Sequence, residues 1–365
     1  MESITIAGGG LAGCLLLAAL KYRWPDLDVV LHEKSSALSQ HQTWSFHHDD
    51  VPDDCWPWLT PLISKSWSGY EVFFPLFNRS FKSAYYSIRA EDLAAKMMQN
   101  YSQFIRFNSA ADITPNTFVT TGWPSLLSTQ NFGFQKFVGL DLKLNSPHGL
   151  TRPILKDVRW PQTDGYRFFY ILPWSETELL IEDTYYSNSS ELNRDEIKLE
   201  ILKYAASQNW IIQAVQRLES GSLPLDLTPA KPRASMPLAL GAAAGLAHPV
   251  TGYTLPVILQ QIEAILKCPQ ADVQLWKKQI KLKNDKIRRP YSYFCFLNRM
   301  MFLAADPQKR YEILQRFYRL PEALIGRFYA GQTTVLDQIR ILFGKPPVSL
   351  LRAISQFKSP SNNDI

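Results

Sequence analysis

The spacing of apolar and polar positions changes several times along the chain, and each change predicts a different element. Residues 3–7 (SITIA) have the pattern of a short strand, which runs straight into Gly8-Gly9-Gly10-Leu11-Ala12-Gly13; residues 14–22 then read as a helix. A second apolar burst, Val29-Val30-Leu31, is closed by Glu33 and completes a βαβ unit. Residues 42–50 are polar, aromatic and without period, and predict a loop. Segments 69–74 and 84–88 predict strands, 91–100 a short helix, and 118–121 a buried strand returning to the first sheet. Segments 133–141, 166–174 and 179–185 have the aromatic-rich strand pattern of an antiparallel sheet. Residues 193–209 predict an amphipathic helix with Ile197, Ile201, Leu202 and Ala205 on one face. From residue 275 the pattern is helical, up to a tail bounded by Pro346 and Pro347.

The switch from βα alternation to antiparallel strands predicts an α/β protein of about two domains, the second inserted into the first. Residues 1–78, 84–125 and 234–266 are assigned to a discontinuous dinucleotide-binding domain of Rossmann type. Residues 126–233 are assigned to an antiparallel-sheet substrate domain, and 267–365 to a mostly helical C-terminal region.

The glycine positions carry the first chemical reading. In Gly8-x-Gly10-x-x-Gly13 the first glycine permits a tight turn, the second lets the backbone approach a pyrophosphate, and the third lets helix and strand pack closely. The helix N-terminus offers amide donors and partial positive charge to phosphates. Glu33, 20 residues beyond Gly13, is placed to accept hydrogen bonds from a ribose. A second small-residue stretch, 241–253 (GAAAGLAHPVTGY), leads into another helix start, where Gly245, Thr251 and Gly252 allow backbone to approach a ligand closely.

Composition adds the compartment and the partners. A hydrophobic share of 46% with 13% aromatic residues provides for a substantial core. The chain opens on a strand rather than a secretory leader, and no apolar run approaches the ~18 residues of a spanning helix, which predicts a cytoplasmic protein. Cys14, Cys55, Cys268 and Cys295 are scattered without a CxxC pair, so neither a disulfide framework nor a zinc site is predicted, and no metal. The net charge of +6 is unevenly placed: residues 267–365 hold 18 Lys and Arg against 7 Asp and Glu. No nucleic-acid recognition motif accompanies these charges. Interleaved with Tyr291, Phe294, Phe296, Phe302, Phe317 and Tyr318, they predict peripheral contact with an anionic membrane.

Residues 179–185 (LLIEDTY) hold the most suggestive chemistry. Strand alternation sends Glu182 and Asp183 to opposite faces, so one of them can face an apolar cavity. A carboxyl group held there keeps its proton near neutrality and can act as a Brønsted acid. His47-His48-Asp49 supplies a second acid–base candidate. Trp44, Phe46, His47, Phe134, Phe168, Tyr170 and Tyr253 are the candidate lining of a long apolar pocket.

Several stretches together resemble the bacterial lycopene β-cyclases, carotenoid-pathway flavoproteins of the flavin-hydroxylase-like Rossmann class. They are the glycine fingerprint, 43–50 (TWSFHHDD), 147–150 (PHGL), 165–168 (GYRF), 181–186 (IEDTYY), 245–256 (GLAHPVTGYTLP), 297–303 (LNRMMFL), 315–318 (QRFY), 327–331 (RFYAG) and 344–348 (GKPPV). The resemblance implies an FAD-binding domain whose flavin works reduced, with NAD(P)H as reductant, in a reaction without net redox change. The substrates implied are lycopene and related C40 carotenes, whose C1=C2 bond is protonated, whose C5=C6 bond closes the ring, and whose C6 proton is then lost. By matching position Glu182 is the general acid. Glu182 itself, His248 and a water are the candidate bases, with Asp183 beside them. Gly245, Thr251 and Gly252 fall near the flavin. Where relatives carry a D-G-R-G-like turn this chain reads Thr120-Thr121-Gly122-Trp123, and Asp92 stands in place of an arginine for which Arg89 is the candidate substitute. Two other classes remain open on the fingerprint: a redox flavoenzyme acting on an isoprenoid, and a non-catalytic carotenoid-binding flavoprotein.

Overall fold

The computed structural model describes residues 3–122, 132–229, 236 and 238–343. The chain begins with β1 (Ile4–Ala7), α1 (Leu11–Arg23) and β2 (Val29–His32). It continues through β3 (Thr43–His47), α2 (Trp56–Leu59), β4 (Lys65–Trp67), β5 (Tyr70–Phe74), β6 (Phe77–Phe81), β7 (Tyr85–Arg89), α3 (Ala90–Tyr101), β8 (Ile105–Arg106) and β9 (Phe118–Val119). Next come β10 (Phe132–Leu144), β11 (Ile154–Asp157), β12 (Tyr166–Pro173), β13 (Glu178–Ser187), α4 (Arg194–Ser207) and β14 (Ile212–Asp226). The C-terminal part is helical: α5 (Leu255–Leu266), α6 (Val273–Arg288), α7 (Tyr291–Arg299), α8 (Arg310–Phe317), α9 (Glu322–Tyr329) and α10 (Val335–Leu342).

β8, β2, β1 and β9 form a parallel sheet in that order. Against it lies α1, buried without interruption from Leu11 to Leu20, as a helix apolar all round must be. Its neighbours in the core include Leu93 and Met97 of α3, Leu259 and Ile262 of α5, and Trp276 of α6. The predicted βαβ unit, the returning strand and the short helix are all present.

Among the described residues the larger sheet has seven strands, ordered β14-β10-β13-β12-β11-β5-β6, antiparallel except where β11 meets β5. Successive side chains point to opposite faces. Phe169, Ile171, Ile181 and Tyr185 pack with Ile197, Ile201 and Tyr204 of α4. Tyr166, Phe168, Leu180 and Tyr186 face the other way, toward Phe302, Phe317, Tyr318 and Phe328 of the C-terminal region. Arg310, 1% exposed, ties these layers together. Its guanidinium donates to the Met301, Tyr186 and Phe302 carbonyls at 2.9, 2.9 and 3.1 Å, and also to the Asn188 side chain.

Three features differ from the sequence reading. Residues 43–47 are a strand, not a loop, because β3 pairs antiparallel with β7 from Thr43↔Arg89 to His47↔Tyr85. The hairpin β5–β6, expected with the nucleotide-binding part, hydrogen-bonds into the larger sheet through β11. And β14 is a 15-residue edge strand whose Val215 and Leu218 are exposed, which removes the hydrophobic alternation that would have revealed it. The four cysteines are buried free thiols. Among the described residues no helix is long and apolar enough to cross a membrane. Pro346, Pro347 and Trp123 lie outside the described residues.

Candidate active site

At the end of β1 a Cβ on Gly13 would stand 2.0 Å from the Gly8 carbonyl oxygen, so only glycine lets α1 lie against the turn. Gly8 has φ 108°, a conformation that L side chains rarely adopt. Gly10 is the reverse case: its φ of −75° suits any residue, and an added Cβ would meet nothing within 4 Å. The N-terminus of α1 therefore opens onto free space, with no side-chain cap and no acidic residue in its first turn. Glu33 stands beside it and accepts the Gly9 N–H at 2.7 Å and the Ser35 N–H at 2.8 Å. An uncapped helix start, a carboxylate and open space fit the ADP half of FAD. The departure at Thr120 is absorbed locally: its hydroxyl lies 2.8 Å from both the Ala7 and the Gly8 carbonyl oxygens and braces the turn. Arg89 is engaged elsewhere, pairing with Glu91 and, at 3.7 Å, with Asp141, and lying 5.3 Å from the centre of the Trp174 ring.

A cavity of about 600 Å³ lies where this unit meets the large sheet and the C-terminal helices. β3 contributes Thr43, Trp44, Ser45 and His47; the sheet contributes Phe137, Lys156, Phe168, Tyr170, Glu182, Tyr186 and Glu219. Thr251, Gly252 and Tyr253 approach from the segment before α5, and Tyr318 and Tyr329 close the far end. The phenol groups are held in place: Tyr85 and Tyr170 bond each other at 3.0 Å, and the Tyr253 hydroxyl donates to the Ser45 carbonyl. His47 sits among the rings of Tyr70, Tyr85 and Tyr329, with centroids 5.0, 4.9 and 5.0 Å away.

Glu182 is the acid that this lining isolates. Half-buried, it has the cavity on its free side and accepts a hydrogen bond from the Thr184 hydroxyl. Burial and the charge of Glu219 push its carboxyl up to about 8, against the Thr184 bond and the Lys156 charge. Glu219, 7% exposed, is pushed up by burial to about 7, while Arg217, 3.0 Å away, acts in the opposite direction. The Lys156 ammonium lies 3.4 Å from the Phe168 ring centroid; burial pulls it down to about 7, against the attraction of Glu182. His47 is held down to about 3 by burial and by Lys156, so its ring is neutral. Glu182 is thus a carboxyl able to carry a proton at neutral pH, with Glu219 and Lys156 shifted toward neutrality beside it.

Of the sequence candidates, Trp44, His47, Phe168, Tyr170, Glu182, Thr251, Gly252 and Tyr253 meet around this one cavity. Asp183 does not: it lies on the α4 face, ion-paired with Arg167 and accepting the Tyr185 hydroxyl at 2.9 Å. His248 also lies outside the lining, with both ring nitrogens in use; Nε2–H donates to the Phe328 carbonyl at 2.9 Å and Nδ1 accepts the Val250 N–H at 3.3 Å. Phe46 is stacked on Tyr86 in the core, with ring centroids 5.4 Å apart. Phe134 falls on the other face of β10, and Phe137 takes its place in the cavity. Gly245 closes a turn behind the cavity wall. Lys156 and Glu219 were missed because β11 and β14 have no legible strand pattern; the one local signal was a charged residue directly after a leucine, Leu155-Lys156 and Leu218-Glu219.

Comparison with known proteins gives a consistent result. A family model described as lycopene cyclase protein matches residues 3–116 and 113–355. Lycopene beta-cyclase of Pseudescherichia vulneris is 37% identical over 375 residues, covering 96% of this chain and 95% of that one. Lycopene beta-cyclase of Pantoea ananas is 34% identical over 380 residues, covering 96% of each. Among solved structures, a geranylgeranyl bacteriochlorophyll reductase-like protein of Thermoplasma acidophilum aligns with a TM-score of 0.61 at 12% identity, over 93% of this chain and 95% of that one. A tryptophan 6-halogenase of Streptomyces toxytricini aligns with a TM-score of 0.57 at 12% identity, over 98% and 95%. At this identity the likeness is one of fold.

Proposed function

The chain belongs to the lycopene cyclase family, and we propose that it closes the linear ψ-end groups of lycopene into β-ionone rings, giving γ-carotene and β-carotene. The observation that carries this reading is the placement of the Glu182 carboxyl, raised by burial and by the charge of Glu219, against a cavity walled by aromatic rings. Protonating an isolated alkene demands an acid screened from water, and the cation that results demands electron-rich neighbours. Glu182 gives its proton to C2, leaving a tertiary cation at C1; C6 bonds to C1, and the charge moves to C5. Trp44, Phe137, Tyr170 and Tyr186 line the cavity and supply electron-rich rings to that charge, at about 1–2 kcal/mol for each face presented when desolvated, while Phe168 already carries the Lys156 ammonium. Neutral His47 and the bonded phenols position the lining without competing for the proton.

FAD is the proposed cofactor, held at its ADP end by Gly8, Gly10, Gly13 and Glu33, with Thr251 and Gly252 at the cavity. When bound and reduced by NAD(P)H, the flavin supplies negative charge beside a developing cation and takes part in no net electron transfer.

The proposed location is the cytoplasmic side of a membrane, from which an apolar C40 substrate would be drawn. α10 supports this. Its Val335, Leu336 and Ile339, with Phe343 just beyond, are 71, 78, 55 and 79% exposed, while Asp337 on its inner side is ion-paired with Arg327. A smaller cavity of about 100 Å³, lined by Met300, Met301, Leu314, Phe317, Ile341 and Leu342, lies beneath. It shares Lys156, Tyr186, Thr251 and Tyr329 with the main cavity as a common wall.

The test is pigment analysis in lycopene-accumulating bacteria expressing the chain. Glu182→Ala should abolish β-rings while Asp49→Ala keeps them; undiminished cyclisation by Glu182→Ala would sink the assignment.

A further inference from the structure

Glu182 has a partner carboxyl on the same face of the sheet. β10 runs between β13 and β14, and its Gly139 is directly opposite Glu182 on one side and Glu219 on the other. Directly opposed residues share a face, so both acids line the cavity. Their backbones stand two strand spacings apart, roughly 10 Å, and the residue between them has no side chain. Glu219 and Leu180 share that gap: a Cβ on Gly139 would come 3.0 Å from the Glu219 Cγ, 3.1 Å from the Leu180 Cδ1 and 3.3 Å from the Glu219 Oε1. The other Glu219 oxygen, Oε2, is fixed by Arg217 at 3.0 Å, and Arg217 is fixed in turn by Asp141 at 2.6 Å and the Thr43 hydroxyl at 2.7 Å. A braced carboxyl therefore lies over the bare glycine, on the same face as Glu182 and within the same chamber.

Resting on the cyclase reading, we infer that Glu219 is the base that removes the C6 proton and returns it to Glu182. The step balances. The Glu182 O–H bond breaks as C2–H forms, and the C5=C6 pair forms the C1–C6 bond. The C6–H bond then breaks toward Glu219, its electron pair restoring C5=C6. Transfer of that proton from Glu219 to the Glu182 carboxylate resets the site. Two carboxyls sharing one chamber disfavour double ionisation and hold one proton between them at rest. The pair carries one negative charge then, two while the cation lies beside it, and one again when Glu219 has taken the C6 proton. Division of labour between two groups also fixes the product. A cation at C5 can lose a proton from C4, from C6 or from the C5 methyl group, and the position of the base selects C6.

The experiment compares ring types, not only totals, in lycopene-accumulating cells expressing the full chain with Glu219→Gln, Glu219→Asp or Glu182→Gln. The expected result is a loss of β-rings of roughly a hundredfold in Glu219→Gln, on the usual scale of general-base catalysis. The remaining rings should carry the double bond displaced toward C4 or the methyl carbon, and Glu219→Asp should recover part of the β-ring yield. Glu182→Gln should give no rings of any type. The inference is overturned if Glu219→Gln forms β-rings at the unsubstituted rate. It is equally overturned if all rings fall together with β the only type and Glu219→Asp no better. Rings made undiminished by Glu182→Gln would instead overturn the cyclase assignment itself.

Discussion

Asp183 and Arg167 meet in a bidentate ion pair, Nε at 2.9 Å and Nη2 at 2.6 Å, on the face of the sheet opposite Glu182. Adjacent in sequence, the two acids are thus divided between a structural pair and a chemical site. Removing one partner of a buried ion pair costs about 3–5 kcal/mol where the other charge is left stranded; Arg167 keeps Glu200 at 3.0 Å, which offsets part of that cost. Asp183→Ala should therefore lower the melting temperature sharply. The protein that does fold should give the same ring type as the unsubstituted chain. A changed ring type would return Asp183 to the chemistry.

Glu182 ties activity and stability to pH. Its folded value, about 8, lies above the ordinary 4.5. Below 4.5 the carboxyl is protonated folded or unfolded and costs nothing. As pH rises toward 8 the unfolded chain ionises first, binds fewer protons than the folded one, and stability falls. Glu182→Gln should therefore melt above the unsubstituted protein at pH 7.5 and level with it at pH 4.5, by calorimetry. The groups facing Glu182 are Glu219 and Lys156, with Asp183 through the strand. Cyclisation should decline as pH rises through about 8, approaching tenfold per unit.

Gly10 separates folding from cofactor binding. A side chain there is sterically free, and aspartate is a good helix N-cap, so Gly10→Asp should leave stability level or raised by a few tenths of a kcal/mol. The new charge would stand where phosphates are expected. Flavin titration should show at least a tenfold loss of FAD affinity; unchanged affinity would remove the glycine turn from the cofactor site.

The outer face of α10 can be tested apart from the chemistry. With vesicles of phosphatidylcholine and phosphatidylglycerol, Leu336→Glu with Ile339→Glu should abolish flotation. It should also slow turnover of vesicle-borne lycopene while sparing lycopene in detergent micelles. Equal flotation of both proteins would argue against this face as the membrane contact.

The parts legible in the sequence are those where a single local rule decides the outcome. The glycine turn is such a case, since steric limits at Gly8 and Gly13 act within a few residues. The opposed faces of Glu182 and Asp183 follow from strand alternation alone. Phe134 was misjudged for Phe137 because the facing side of β10 is set by its register with β13, a non-local quantity. Glu219 was hard to read for a related reason: an edge strand is held by its ladder to β10 and need not alternate apolar with polar. His248 drew attention as a titratable residue among glycines, yet its two nitrogens serve the Phe328 carbonyl and the Val250 amide.

The carbonyl cage around Arg310 bears on how such a protein can be recombined. Met301 and Phe302 belong to the helical region, Tyr186 to the strand bearing Glu182, and one cation joins all three. A chimera that exchanged the sheet and kept the helices would have to reproduce this junction atom for atom. Sheet and helices are therefore best exchanged together, and the cavity walls they supply would travel as one block, to be met by Trp44, His47, Thr251, Gly252 and Tyr253 of the other part.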